Sequence, residues 1–234
     1  MAGQMESLLE GVAVFMKALL PAYYIALTGA CGVATATAFY QMILILIFLT
    51  EKILLLFLLP AIRMYLVLEL INFLTKEEFL SKMTELLKNG ILWALKSMVG
   101  VIVGIQLIQR LISPAVDTLK RSLIGRTAGA LPGVGNLFSG ITEVVLGSAV
   151  LIKNCLGAAA IVILLLAGAA PLCRMGISAL VYQFLAALVQ PVTDKRMVGC
   201  IHTMGESLGM LVRMLLTMEI LFLLTIAILA GSLQ

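Results

Sequence analysis

The run Ile53-Leu-Leu-Leu-Phe-Leu-Leu59 contains no polar side chain, and residues 42–49 repeat the pattern. Residues 161–170 add only one glycine to it. Continuous runs of this kind cannot present one wet and one dry face. A membrane β-barrel alternates apolar and polar residues over segments of ~10 residues, so that architecture is rejected. A soluble fold is rejected on quantity. Of 234 residues 62% are hydrophobic, mean hydropathy is +1.14 and 12% are charged. Soluble domains carry about 25% charged residues. The chain therefore reads as all-α, a polytopic transmembrane helical bundle with amphipathic interfacial helices, forming a single membrane domain over residues 1–234.

The remaining polar groups narrow the function. A net charge of +4, scattered along the chain, does not suggest nucleic acid. Cys31, Cys155, Cys173 and Cys200 show neither a CxxC pair nor metal-ligand spacing. They read as small buried thiols. The first ten residues carry Glu6 and Glu10 but no Lys or Arg. No signal peptide is visible there, and insertion is expected to use the internal apolar segments.

Spans are expected at residues 11–30, 33–50, 53–74, 91–112, 155–173, 175–190 and 213–231, each near the ~20 residues a bilayer requires. Two are less well defined. The 53–74 segment is interrupted by Pro60, Arg63 and Glu69, and 175–190 is short enough to be a half-span or a tilted helix. Glu51-Lys52 sits between two spans at a membrane surface or inside one long bent element. The surface reading is favoured because buried charge is expensive. Amphipathic helices are expected at 76–89, 114–124, 134–153 and 195–212. The first has a capping box from Thr75 to Glu78, a Glu78–Lys82 pair and a stop at Asn89-Gly90. It lies in the interface plane or packs as a surface helix on the bundle. The second starts at Ser113-Pro114, and with Arg126 its Lys120 and Arg121 form the most basic local patch, suited to anionic lipid. With 53–74 left outside, the remaining six spans with both termini outside leave almost no positive-inside bias.

Several positions stand out as functional or packing candidates. Gly100 and Gly104 form a GxxxG pattern that lets helices approach closely. Residues 125–160 pass from a glycine-rich loop through a half-polar helix into a purely apolar run. The loop segment Gly129–Gly135, in which Gly133 and Gly135 are the candidate positions, is read as a hinge or close-packing turn. No GxxxxGK[ST] pattern accompanies them, so nucleotide binding is set aside. The following helix carries Asn136, Ser139, Glu143 and Gly147 on one stripe, which lines a polar path or simply faces water or hydroxyls. Lys153 and Asn154 mark its polar end, with the ammonium expected to snorkel to the interface.

His202 and Glu206 stand at i,i+4, but the second His of an HExxH site is missing and the chain has no other His. An ordinary side-chain pair is the favoured reading. Glu219 lies within an apolar span, where an acidic group is by default a functional candidate. Its bland alternative is a bond to a Thr or to Arg213. No Ser-His-Asp set exists. No catalytic residue, cofactor or metal ligand is assigned, and an enzyme is not expected.

The central stretch also resembles a known family. Pro132-Gly-Val-Gly135, Ser148-Ala-Val-Leu-Ile-Lys-Asn154 and Gly157 are followed by Gln190-Pro191, Asp194, Cys200 and Gly205-Glu-Ser-Leu208. In this order they are similar to the membrane part of the stage III sporulation protein AE family. Pro21, Gly32-Val33 and the apolar hairpin after them fit the same pattern. Family members typically carry a signal peptide and an extracytoplasmic region ahead of the membrane part, whereas this chain starts at about the first shared span. The resemblance implies a multi-pass protein of the mother-cell membrane around the forespore. It implies other stage III A membrane proteins and their ATPase as partners, in a channel or transport apparatus, and it supplies no catalytic residues. Two roles follow: a permease-like or channel subunit, or a scaffold that assembles the apparatus and carries nothing. The lipid bilayer is the other expected partner, and homo-oligomerisation stays open.

Overall fold

The structure is a computed structural model describing the backbone of residues 2–31, 33–75, 80–128 and 135–231. Side chains are described within these except at residues 2, 29–31, 34–35, 109–128, 135–143, 145–146 and 231. Nearly all of the described residues are helical, and none is in a strand. The helices are α1 (Ala2–Cys31), α2 (Val33–Lys52), α3 (Leu59–Leu74), α4 (Ser81–Ala128), α5 (Gly135–Val189) and α6 (Lys195–Gly231). A π-helical turn, Ile53–Leu58, joins α2 to α3. Five helical stretches among the described residues are long and apolar enough to cross a membrane: Gly3–Thr28, Ala36–Leu74, Ser81–Ile108, Gly147–Val189 and Lys195–Ala230. The chain is an all-α, multi-pass membrane protein.

Helix continuity corrects several expected breaks. Glu51-Lys52 lies inside one helical element, not between two spans. Pro60, which follows, has no N–H and cannot donate in the α pattern. The π turn absorbs that gap, because the Leu59 N–H donates to the Leu54 carbonyl, five residues back. Asn89-Gly90 does not end a helix, and Ser113-Pro114 does not start one, since both lie within α4. One interior Gly costs only about 1 kcal/mol relative to Ala, which packing readily offsets. Likewise residues 135–153, 155–173 and 175–189 of the expected segments are parts of α5, and 195–212 continues into 213–231 as α6. A charged side chain punctuates hydropathy without interrupting backbone hydrogen bonds, so Lys153, Arg174 and Arg213 mark no helix ends. The capping residues 76–79, and with them the Glu78–Lys82 pair, lie outside the described residues; Lys82 instead bonds Glu85 at 3.3 Å.

The helices are long for a bilayer. At ~1.5 Å per residue, the 36 residues of Lys195–Ala230 reach about 54 Å, against a hydrocarbon core of ~30 Å. The chain divides into two compact units. Unit 1 comprises Met1–Ala13, Phe48–Gly100 and Leu164–Leu221. Its buried residues include Met5 and Leu9 of α1, Leu58 and Ile62 around the π turn and α3, Leu95 of α4, and Met214 and Met218 of α6. Outward it presents Leu56, Phe57, Leu166 and Leu180, large apolar side chains that are all exposed. Unit 2 comprises Val14–Ile47, Val101–Ile163 and Phe222–Gln234. It buries Met16, Tyr23, Ile47, Ala160, Phe222 and Ile226, and exposes Ile25, Ile45 and Leu151. In both units apolar residues thus occupy the outside as well as the inside, as suits acyl chains as the surrounding medium. Of the five membrane-capable stretches, that of α6 is the most buried.

Candidate functional site

One cluster of polar groups in unit 1 centres on α6. His202, Glu206, Gly209 and Arg213 recur at three- and four-residue spacing and so share one face. Glu206 is the centre. Its carboxylate is ion-paired with Lys88 of α4 and accepts a hydrogen bond from the Tyr65 hydroxyl of α3 at 2.6 Å. One side chain therefore ties three helices together. Charge-assisted bonds to a carboxylate are the strong members of the hydrogen-bond class. Beside it lies a small cavity of about 110 Å³, with Lys88, Gln183, His202 and Arg213 among its lining residues. On α3, Tyr65, Glu69 and Asn72 fall at i, i+4 and i+7, and Glu69 Oε2 and Asn72 Oδ1 are buried without a hydrogen-bond partner.

A second polar feature lies further along α6 in the same unit. Glu219 is 5% exposed, and its Oε1 has no hydrogen-bond partner. Neither the Thr nor the Arg213 partner expected for it bonds it among the described residues. Its carboxyl occupies the space over Gly168 of α5, where any Cβ would overlap it. The notch exists because residue 168 has no side chain. Other glycines of unit 1 act similarly: a Cβ on Gly199 would strike the Phe73 ring, and one on Gly205 would approach the Ala179 carbonyl to 3.1 Å.

In unit 2 the Gln106 amide donates to the Thr225 hydroxyl at 2.6 Å, both residues being buried. Gly157 lies under the Tyr23 hydroxyl, which a Cβ there would approach to 2.7 Å. Lys153 is 1% exposed. This corrects the snorkelling expectation: the ammonium is enclosed, and it is the next residue, Asn154, that is exposed. The helix does not end at this pair, so its side chains are distributed around the α5 barrel and do not reach out from a terminus.

The structure separates the other candidates. His202 and Glu206 do share a face, but the partners that matter, Lys88 and Tyr65, come from other helices. The Gly100 and Gly104 faces are open among the described residues, none of which comes within 4 Å of a Cβ at either position. Close helix approach in this chain is made at Gly157, Gly168, Gly199 and Gly205 instead. Gly133, most of the 129–135 turn, and the side chain of Glu143 lie outside the described residues; Gly135 is the first residue of α5. Sequence reasoning missed Tyr65, Lys88 and Gly168. The polar spacing of Tyr65, Glu69 and Asn72 within an apolar run was an available signal for the first. Nothing local distinguishes Gly168 from the other glycines.

These features can be set beside known proteins. The family description "Stage III sporulation protein AE" matches residues 1–232. The protein of that name from Bacillus subtilis (strain 168) is 24% identical over 222 residues. The matched region covers 94% of this chain and 56% of that relative, so the chain spans about half of the relative's length. No solved structure matches. With the family pattern running through nearly every described helix, including those that carry Glu206, Gly168 and Glu219, the chain belongs to the stage III sporulation protein AE family of sporulation proteins.

Proposed function

We propose that the chain serves, without enzymatic activity, as a permease-like or channel subunit of the stage III A apparatus in the mother-cell membrane facing the forespore. Its partners in this reading are the other stage III A membrane proteins and their ATPase. The observation that supports it is Glu219: a buried carboxyl with an unpartnered oxygen, inside an apolar helix, in a notch made by Gly168. An acidic group kept at such a place is a group for handling cargo or ions rather than for holding helices together. The test replaces the resident copy in a spore-forming strain with this chain and its Glu219→Gln variant, which preserves size. Heat-resistant spore counts should fall sharply while membrane levels on immunoblots stay equal. Unchanged counts would remove Glu219 from any transport role.

A scaffold role is the second reading, and the Glu206 cluster favours it. There the carboxylate is matched by Lys88 and Tyr65 and ties three helices. Under that reading Glu219→Gln sporulates normally, while Glu206→Ala fails together with the loss of assembled protein.

A further inference from the structure

A cavity of about 600 Å³ in unit 1, within the size range of ligand pockets, lies apart from the Glu206 cluster and from Glu219. It forms between one stripe of α1 and one stripe of α5. Gln4, Ser7 and Leu8 recur at helical spacing on the first, and Ala170, Arg174 and Ser178 on the second. Leu208, on the side of α6 away from Glu206, also lines it. The polar groups are unequal in what they offer. The Ser7 hydroxyl donates to the Gln4 carbonyl and the Ser178 hydroxyl to the Arg174 carbonyl, each at 2.9 Å. Their donor capacity is used within their own helices. The Gln4 amide and the Arg174 guanidinium remain as donors toward the cavity. Arg174 is exposed, has no ion-pair partner among the described residues, and lies inside the membrane-capable stretch Gly147–Val189.

We propose that this cavity holds an anionic glycerophospholipid, with its phosphate on the Arg174 guanidinium and an acyl chain along the apolar wall of Leu8, Ala170, Met175 and Leu208. Charge complementarity selects the headgroup. No carboxylate is among the described residues lining the cavity, and an arginine in an apolar stretch requires an anion or an interface. A planar guanidinium matches phosphate oxygens two at a time. The surroundings select the tail. Leu166, Ile177 and Leu180, on the same stretch of α5, are large, apolar and exposed, so the medium bordering that stretch is itself acyl chain and the occupant enters sideways from it. The site is independent of whether the chain transports anything.

The experiment measures lipid adducts on the purified full chain in detergent by native mass spectrometry, using dioleoylphosphatidylglycerol, dioleoylglycerol and inorganic phosphate as probes. Phosphatidylglycerol should bind about tenfold tighter than dioleoylglycerol, which has the same tails and no phosphate, the factor expected for one charge-assisted contact. Arg174→Gln should abolish that preference with dioleoylglycerol binding unchanged, which also shows the cavity intact. Arg63→Gln, removing a cation bonded to Glu6 elsewhere in the unit, should leave the preference in place. Ala170→Trp should weaken both lipids, with helical content checked by circular dichroism; Met175→Trp replaces it if that content drops. Equal binding of the two lipids by the unaltered chain, or a preference surviving Arg174→Gln, overturns the proposal. So does displacement of bound lipid by inorganic phosphate, which would make the cavity a site for a small free anion.

Discussion

Glu206 and Glu219 are the same residue type on the same helix, within one unit, and they are accommodated in opposite ways. Glu206 is only partly buried and is surrounded by matched chemistry: an ammonium from α4 and a phenol from α3. Glu219 is more deeply buried and is accommodated by an absence, the missing side chain of Gly168. The first arrangement stabilises the contact between helices, because each partner removed leaves another unsatisfied. The second leaves acceptor capacity unused, a cost of about 1–3 kcal/mol for a buried polar group. A carboxylate in an apolar helix is therefore not one kind of feature. What decides its role is what the neighbouring helices bring to it.

The sharpest way to break this comparison is to fill the notch. Gly168→Leu places a branched side chain where the Glu219 carboxyl sits, and should destabilise by about 3 kcal/mol, the upper end of ordinary overpacking. Unfolding of the purified protein in mixed detergent micelles would measure it. Gly168→Ala should cost less, and adding Glu219→Ala should recover most of that loss. The resulting coupling should be about 1–3 kcal/mol. Strictly additive effects would mean the carboxyl does not depend on the notch.

Next in size is Glu206→Ala, expected to cost about 2 kcal/mol in the same assay, because it removes one charge-assisted bond and leaves Lys88 without its anion. Tyr65→Phe, which removes only the hydroxyl, should cost about 1.5 kcal/mol. If Tyr65→Phe were silent, the tie to α3 would be a geometric coincidence. Glu219→Leu should run the other way, neutral or slightly stabilising, since replacing an unpartnered acceptor by an apolar group removes its desolvation cost. A loss comparable to that of Glu206→Ala would show that Glu219 is held by partners after all.

The smallest effect is expected at glycines that accommodate nothing. Gly100→Leu and Gly104→Leu should change the stability of the isolated chain by no more than about 0.5 kcal/mol, as at other uncrowded surface positions. A large loss at either would mean that a second helix covers the open face. Gly157→Leu, placed against the Tyr23 hydroxyl, gives the contrasting positive control in unit 2.

The amino-acid sequence by itself determined the class of this protein. Long apolar runs with little charge allow only helices in a membrane, because every backbone N–H and C=O must be satisfied within the segment. It also determined that Glu206 and Glu219 were worth attention, through the rarity of acids in such runs, and the family to which the chain belongs. Only the tertiary structure decided where helices stop. Hydropathy breaks at Glu51-Lys52, Arg174 and Arg213, yet the backbone ladder depends on N–H groups and φ/ψ and continues through all three. It alone brought Lys88 and Tyr65 to Glu206, enclosed Lys153, and singled out Gly168 over the equally glycine-rich Gly100–Gly104 pair. Helical spacing reports which side chains share a face of one helix. What stands opposite that face is chosen by the packing of residues far away in the chain, and no local pattern carries that information.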